Sequence, residues 1–456
     1  MAPSAPRGAG RVPRALYTAL LTLLAPAYRA RLWWRGRAEP LYRVAVGERF
    51  GRYTGAPPVP GALWVHAVSL GETRAAAALI EALRAQRPSL RILLTHGTAT
   101  GRDAGRALLA PGDAQAWLPY DTPAAVGRFL AHWRPAVGVL METEVWPGLI
   151  LGAAEAGVPM LLANARLSER SLRRGRRFDG LLRPAVAALD RVLAQTGADA
   201  ERLRDAGAVR VEVMGNLKFD MTPDADLLIR GAGWAAAGER PLLLAASTRE
   251  GEEAGLLAAW PAAVQAGSRT PRLLLVPRHP QRFDEVAELV VRSSLSLSRR
   301  SAWPDGMPDE HALGAEVWLG DTLGELPAYY AAARVALLGG SFAPLGGQNL
   351  IEAAACGCPL VMGPHTFNFA DAAERALAAG AAERADDLPA ALVRAVALAA
   401  DAAFRDRMAR AAQTFSAAHR GAAQRMAAAI LETLDAAGVA QPASARATSV
   451  TSAGPR

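Results

Sequence analysis

From residue 62 onward, short unbroken apolar runs alternate with longer stretches rich in Ala, Leu, Arg and Glu. The first set of runs lies at 63–66, 91–95, 115–119, 136–141, 159–163 and 209–213. Runs of this kind, separated by helical segments of about 10–15 residues, predict βαβ units and a parallel sheet covered on both faces. The rhythm pauses at 218–239, a stretch carrying Pro, Gly and Asp, and restarts with runs at 241–245, 272–276, 316–319, 335–338 and 359–362. Two doubly wound, Rossmann-like α/β domains in tandem are the expected fold. In such sheets ligands bind beyond the carboxyl ends of the strands, so the residues just after each run are the candidates for chemistry.

Ahead of the first run, residues 15–27 are largely apolar and are followed by Arg29, Arg31, Trp33, Trp34, Arg35 and Arg37. Thirteen residues fall short of the roughly 20 a membrane-spanning helix needs. Ala25-Pro26-Ala27 has the form of a signal-peptide cleavage site, but positive charge just after an apolar run resists export. Segment 1–38 is therefore expected to be a retained membrane anchor, with the tryptophans at headgroup level and the arginines on anionic phosphate. A soluble helix packed on the protein is the alternative. The last stretch, 441–456, is expected to be a disordered tail.

The formal charge of +8 invites a nucleic-acid partner until its location is considered. Residues 1–38 hold seven arginines and no acid, and the remainder is balanced to +1. The excess thus points to an anionic membrane surface and not to nucleic acid. Lysine occurs once, at Lys218, so arginine fills the other 50 basic positions. Cys356 and Cys358 are too close in sequence for ordinary disulfide geometry, and with no other cysteine the chain suits a reducing compartment.

The expected layout is an anchor at 1–38, an α/β domain at 39–220, a linker at 221–239, a second α/β domain at 240–400, C-terminal helices at 401–440 and the tail at 441–456. Glu72 follows run 63–66 in the first turn of a predicted helix. A carboxylate there either complements the helix dipole, worth about 0.3–1 kcal/mol, or acts at the strand end. No G-x-G-x-x-G follows that strand, which argues against a nicotinamide dehydrogenase. Glu142 and Glu144 follow run 136–141, where one acid can act while the other makes a structural contact; a buried salt bridge is the alternative. Lys218, beside the domain boundary, offers a compact ammonium to a leaving phosphate or a carboxylate. In so arginine-rich a chain its retention points to a requirement for shape.

In the second domain Ser247 and Thr248 open a helix after run 241–245 and are candidates for donor contacts. Arg278 and His279 follow run 272–276 and suit a phosphate or a base. The stretch 339–352 carries Gly339, Gly340, Gly346 and Gly347, which allow backbone to approach a ligand closely. A helix predicted from about Gln348 aims its positive end at that ligand, and Glu352, one turn beyond Asn349, can accept from both hydroxyls of a ribose. This is not a Walker A loop, because no Gly-Lys-Ser/Thr follows. Asp224-Ala-Asp226 sits beside Pro223 and is better explained as a turn than as a metal pair. The seven histidines show no ligand spacing, so neither metal nor cofactor is expected.

Six segments converge: 66–73 (His-Ala-Val-Ser-Leu-Gly-Glu-Thr), 141–147 (Met-Glu-Thr-Glu-Val-Trp-Pro), 164–168 (Asn-Ala-Arg-Leu-Ser), 215–220 (Gly-Asn-Leu-Lys-Phe-Asp), 276–280 (Val-Pro-Arg-His-Pro) and 346–352 (Gly-Gly-Gln-Asn-Leu-Ile-Glu). In this order, over residues 35 to 430, the chain closely resembles the 3-deoxy-D-manno-octulosonic acid (Kdo) transferases of Gram-negative bacteria. The resemblance implies a GT-B glycosyltransferase, two domains with a cleft between them, that moves Kdo from CMP-Kdo to a lipid A precursor at the cytoplasmic face of the inner membrane with inversion. It also implies that the last helices pack back on the first domain. It assigns Glu72 as general base, Glu142 and Lys218 as transition-state stabilisers, and CMP contacts to Arg278, His279, Gly324, Glu325, Leu326, Asn349, Leu350, Ile351 and Glu352. Arg249 departs from the family pattern, which has histidine after Ser-Thr. A GT-B enzyme acting on a UDP-sugar and a non-enzymatic membrane scaffold are the alternatives from other classes.

Overall fold

The computed structural model describes residues 11–265 and 270–438. The tail expected at 441–456 and the first ten residues of the N-terminal segment lie outside them.

Among the described residues the strands form two seven-stranded sheets, parallel throughout. The first comprises β1 (Leu63–His66), β2 (Ile92–His96), β3 (Ala114–Trp117), β4 (Val137–Met141), β5 (Met160–Ala165), β6 (Arg191–Ala194) and β7 (Val211–Val213), in the order β3-β2-β1-β4-β5-β6-β7. The second comprises β8 (Leu242–Thr248), β9 (Arg272–Pro277), β10 (Leu297–Arg299), β11 (Val317–Leu319), β12 (Val335–Leu338), β13 (Leu360–Met362) and β14 (Ala382–Arg384), in the order β10-β11-β9-β8-β12-β13-β14. The apolar runs are continuous because both faces of each sheet are covered. Leu63 and Val65 enter one core and Trp64 the other; Leu242 and Leu244 enter one core and Leu243 the other. Each sheet thus meets the α/β expectation.

The chain divides into two compact units, 1–217 joined by 421–456, and 218–420. Two expectations change here. The linker expected at 221–239 holds a helix, Ala225–Ala236, whose Asp224 side chain caps it by accepting from the N–H groups of Asp226 and Leu227. Its Trp234 is buried in the second unit against Trp303 and Tyr329. Of the two C-terminal helices, Ala402–Ala418 stays with the second unit, because Met408, Ala412 and Phe415 pack into its cores. Only Ala422–Ala436 joins the first unit, after Gly421 turns the chain at φ +93°.

The N-terminal apolar run extends into a 25-residue helix, Arg11–Arg35. Its inner side is fixed to the first unit: Tyr17 donates to Asp121 (2.7 Å), Tyr28 stacks on Tyr120 and Leu32 is buried beside Tyr42. Its outer side leaves Val12, Leu16, Leu20, Leu23 and Leu24 exposed at helical spacing, with Trp33 and Trp34 beyond. No helix among the described residues is long and apolar enough to cross a membrane.

Candidate active site

In the first unit the chemistry gathers beyond β1, β4 and β5. After β1 the chain turns through Ser69, which caps the helix Leu70–Gln86 by accepting from the Glu72 N–H. Glu72 reaches back in return, and its carboxylate accepts the Val68 N–H at 2.8 Å. This reciprocal capping fixes the side chain at the helix start. Burial pushes Glu72 up to about 7, and the charges of Glu144 and Glu142 add to the effect against the Val68 hydrogen bond. Burial, with the charge of Glu142, also raises Glu144, against the Trp146 indole N–H that its carboxylate accepts at 2.7 Å. Glu142 is buried directly after β4 and faces the Arg166 guanidinium at 3.6 Å. Among the described residues no group of three or more His, Cys, Asp or Glu side chains could hold a metal ion.

Glu142 and Asn164 both adopt the left-handed region, at φ +56° and +52°, and Ser247 does so at +56°. Each lies at the carboxyl end of a central strand. Such conformations cost non-glycine residues roughly 1–3 kcal/mol and persist where surrounding structure imposes them. Behind the Glu72 loop, His66 and His96 are fully buried, and burial pushes them down to about 3 and about 4, so both are neutral. His66 Nδ1 lies 2.9 Å from Thr95 Oγ1 and His96 Nδ1 3.0 Å from the Ala67 carbonyl, which ties β1 to β2 under the loop.

Lys218 lies in the short helical turn Leu217–Asp220. The preceding N–H, that of Leu217, donates to Asn164 Oδ1 at 3.1 Å. Within the second unit the Lys218 ammonium stands 5.1 Å from the centre of the Phe369 ring, and Phe219 packs on Phe415 and His419.

The second unit gathers its groups beyond β8, β9 and β12. A Cβ on Gly339 would fall 2.3 Å from the Ser247 carbonyl, so only glycine lets the end of β12 cross there. Glu252 then braces the glycine-rich loop: its carboxylate accepts the N–H groups of Gly340 (2.7 Å), Phe342 (3.2 Å) and Arg249 (2.9 Å). Thr248 is buried with its hydroxyl donating to Glu253 at 2.8 Å, and Glu253 also takes Arg282 at 2.7 Å. The Thr248 hydroxyl, expected to contact the donor, is thus engaged within the fold. Arg278 is exposed, with its N–H on the Thr248 carbonyl, and His279 is held down by partial burial and by the nearby positive charge of Arg249, Arg278 and Arg282. Arg249, Arg278 and Arg282 thus stand near His279, with Arg249 paired to Glu250 and Arg282 to Glu253 and Glu285.

Gly324, at φ +85°, Glu325 and Leu326 form the turn into the helix Leu326–Ala332. The Glu325 carboxylate takes Arg300 (2.7 Å) and Arg230 (3.0 Å). Asn349 caps the helix Leu350–Ala355 by accepting the Ile351 N–H at 3.2 Å. Leu350 and Ile351 are core side chains, so their backbone alone can meet a nucleotide. Glu352 stands half-buried in the first turn.

A family profile described as "3-Deoxy-D-manno-octulosonic-acid transferase (kdotransferase)" matches residues 45–221. A 3-deoxy-D-manno-octulosonic acid transferase of Bordetella pertussis is 51% identical over 423 residues, spanning 90% of this chain and 97% of that protein. The chain belongs to the Kdo transferase family. It is accordingly a glycosyltransferase, and the Haemophilus influenzae Kdo transferase is 33% identical across 91% of this chain and 97% of its own length. Among solved structures, a glycosyltransferase from Rickettsia africae aligns with a TM-score of 0.56 at 11% identity, covering 83% of this chain and 99% of that one. A UDP-GlcNAc 2-epimerase from Neisseria meningitidis aligns at 0.54 and 14% identity, covering 82% and 100%. At such identities the likeness is one of fold, the two-domain GT-B architecture.

Two features of this Kdo transferase family member escaped the sequence. Glu252 and Glu253 are almost fully buried acids that organise the loops after β8 and β12; the Arg249-x-x-Glu252 spacing of a helix start was their only signal. A run of five arginines, Arg170, Arg173, Arg174, Arg176 and Arg177, was hidden because acids elsewhere cancel it in the net charge.

Proposed function

We propose that this chain transfers Kdo from CMP-Kdo to a lipid A precursor, inverting the anomeric centre, with Glu72 as general base. The observation that carries the proposal is the Glu72 carboxyl, pinned at a helix start and pushed up to about 7. A base with such a value is half ionised at neutral pH and well matched to a hydroxyl proton in flight. The acceptor O–H donates to the Glu72 carboxylate as its oxygen forms the new bond to the anomeric carbon. The bond from that carbon to the CMP phosphate oxygen breaks in the same displacement, and its electron pair leaves with the phosphate. Attack opposite the leaving group inverts the centre. Positive charge that develops on the sugar is met by Glu142, and negative charge on the phosphate by Lys218, Arg278 and His279. Asn349 to Glu352, apart from the Ile351 N–H that Asn349 takes, and Gly324 to Leu326 complete the nucleotide contacts, and Ser247 lies alongside. No metal or cofactor enters these steps.

The exposed apolar stripe of the helix Arg11–Arg35 supports attachment to the cytoplasmic face of the inner membrane. A helix held to the protein on one side and apolar on the other suits the bilayer interface, with Trp33, Trp34 and the arginines at headgroup level. Thermal shift with CMP and UDP, followed by mass spectrometry of the lipid product, tests the function. Protection by CMP and a mass gain of one or more Kdo units are expected; protection by UDP alone would turn the donor assignment over to a UDP-sugar.

A further inference from the structure

Next to Glu142 the first unit holds a cavity of about 240 Å³ that the transfer mechanism does not use. Leu162, Leu167, Leu172, Leu182, Val186 and Leu203 wall it, and Thr143 and Arg166 stand at its edge. At that volume it is smaller than the roughly 300–1,000 Å³ typical of sites for drug-sized ligands. Its walls offer a sugar few hydrogen-bonding partners, whereas a slender hydrocarbon chain would fill it.

The rim has the opposite character. The helix Glu169–Gly175 and the turn Arg176–Phe178 pass over the cavity and carry five arginines. Arg173 pairs with Glu169, while Arg170, Arg174, Arg176 and Arg177 are exposed. Phe178 beside them is 63% exposed. The next helix, Asp179–Ala187, supplies Leu182 and Val186 to the wall and lies under the N-terminal helix, with Pro13 seated over Gly180. Val12 and Leu16 on that helix are exposed. Arg166 faces both the cavity and Glu142, which links the rim to the proposed acceptor chemistry.

We infer that this cavity takes one acyl chain of the acceptor, with the arginines of 170–177 gripping an anionic, phosphate-type group on the acceptor's head. The inference rests on the lipid-acceptor function proposed above and deepens it. Burying a hydrocarbon chain in an apolar cavity is favourable, and the arginine forks suit phosphate oxygens. The chain end would be threaded beneath the arginines while the sugar stays by Glu142.

The test compares two acceptors on the full-length protein: tetraacylated lipid A precursor in detergent, and the same phosphorylated disaccharide stripped of its acyl chains. Leu182→Trp fills the cavity, and Ser171→Trp plugs its mouth without touching the core. Each is expected to lower kcat/KM about tenfold for the acylated acceptor, through KM, and far less for the deacylated one. Arg174→Gln combined with Arg176→Gln and Arg177→Gln is expected to raise KM for both acceptors and to flatten the salt dependence. Equal losses on both acceptors, or no loss on either, would overturn the assignment. So would loss of binding to phosphatidylglycerol vesicles in Leu182→Trp with transfer intact, because the occupant would then be bulk lipid. If the unaltered protein transfers Kdo to neither acceptor, the acceptor proposal itself fails and the cavity assignment falls with it. CMP protection in thermal shift reports folding of every variant.

Discussion

Asn164 holds Leu217: its side-chain oxygen accepts the Leu217 N–H at 3.1 Å, one residue before the sole lysine of the chain. Asn164 is fully buried and in the left-handed region, which asparagine tolerates better than most residues. Asn164→Gly keeps that backbone conformation and deletes the buried carboxamide, and with it the acceptor of the Leu217 N–H. It is expected to cost about 1–3 kcal/mol in urea unfolding, the penalty of a buried N–H left open. It should also lower kcat more than it alters CMP affinity, because Lys218 loses its fixed approach.

Lys218 itself is tested by the change to arginine, which preserves charge and alters shape. The ammonium is a compact point charge, and a guanidinium is a planar fork. Lys218→Arg is expected to cut kcat at least about tenfold with CMP affinity little changed. Steady-state kinetics that show activity within a fewfold would remove the argument from shape.

Glu72→Gln is expected to lower kcat by about 10²–10⁴-fold, the usual worth of a general base. In the unaltered protein kcat/KM should rise with pH through a midpoint near 7, since the ionised carboxylate is the active form. Stability carries the opposite sign. Because Glu72 is raised in the fold from 4.5 to about 7, its contribution is fully present below pH 4.5 and is lost as pH rises through 7. Glu72→Gln should therefore raise Tm at pH 8 relative to the parent, with little gain at pH 4.5. A Tm difference independent of pH would contradict the raised value.

The buried histidines set an acid limit. His66 and His96 fall from 6.5 to about 3 and about 4 in the fold, so their contribution is fully present above pH 6.5 and is lost as pH falls through the folded values. Thermal melts should show Tm declining from pH 6.5 to pH 4. His66→Asn is expected to shallow that decline.

Glu252→Ala leaves the N–H groups of Gly340, Phe342 and Arg249 without their shared acceptor. The expected result is a rise of about tenfold in KM for CMP-Kdo with a smaller change in acceptor KM. An equal change in both would mark the residue as a general stabiliser of the fold.

Much of the architecture was legible because parallel strands buried on both faces read as unbroken apolar runs. The strands that escaped lack such runs: β10 is Leu-Ser-Arg and β14 is Ala-Glu-Arg, each three residues long at a sheet edge with one face released to polar contacts. β6 begins with Arg191, whose guanidinium reaches Glu432 on a helix distant in sequence. The helix at Ala225–Ala236 was masked by the Pro and Asp residues that precede it, which cap a helix as readily as they make a turn. Of the residues proposed for catalysis, Glu72 and Lys218 are singled out by position and composition alone. The bracing by Glu252 could not be read that way, because it joins loops some 88 residues apart in sequence. The arginine rim was lost to averaging: a net charge counts acids that are not neighbours.

The turn at Gly421 has a consequence for how the chain is made. The whole second unit is an insertion between residues 217 and 421, and the helix Ala422–Ala436 supplies Met426, Ile430 and Leu434 to a core of the first sheet. During synthesis that face stays open until the ribosome has delivered the inserted unit and the helix after it. The unit begun second can thus finish folding first, while the earlier one waits with an uncovered apolar surface of the kind chaperones hold. Lesions in the helix Ala422–Ala436 should consequently surface as insolubility of a nascent chain whose second unit is already complete.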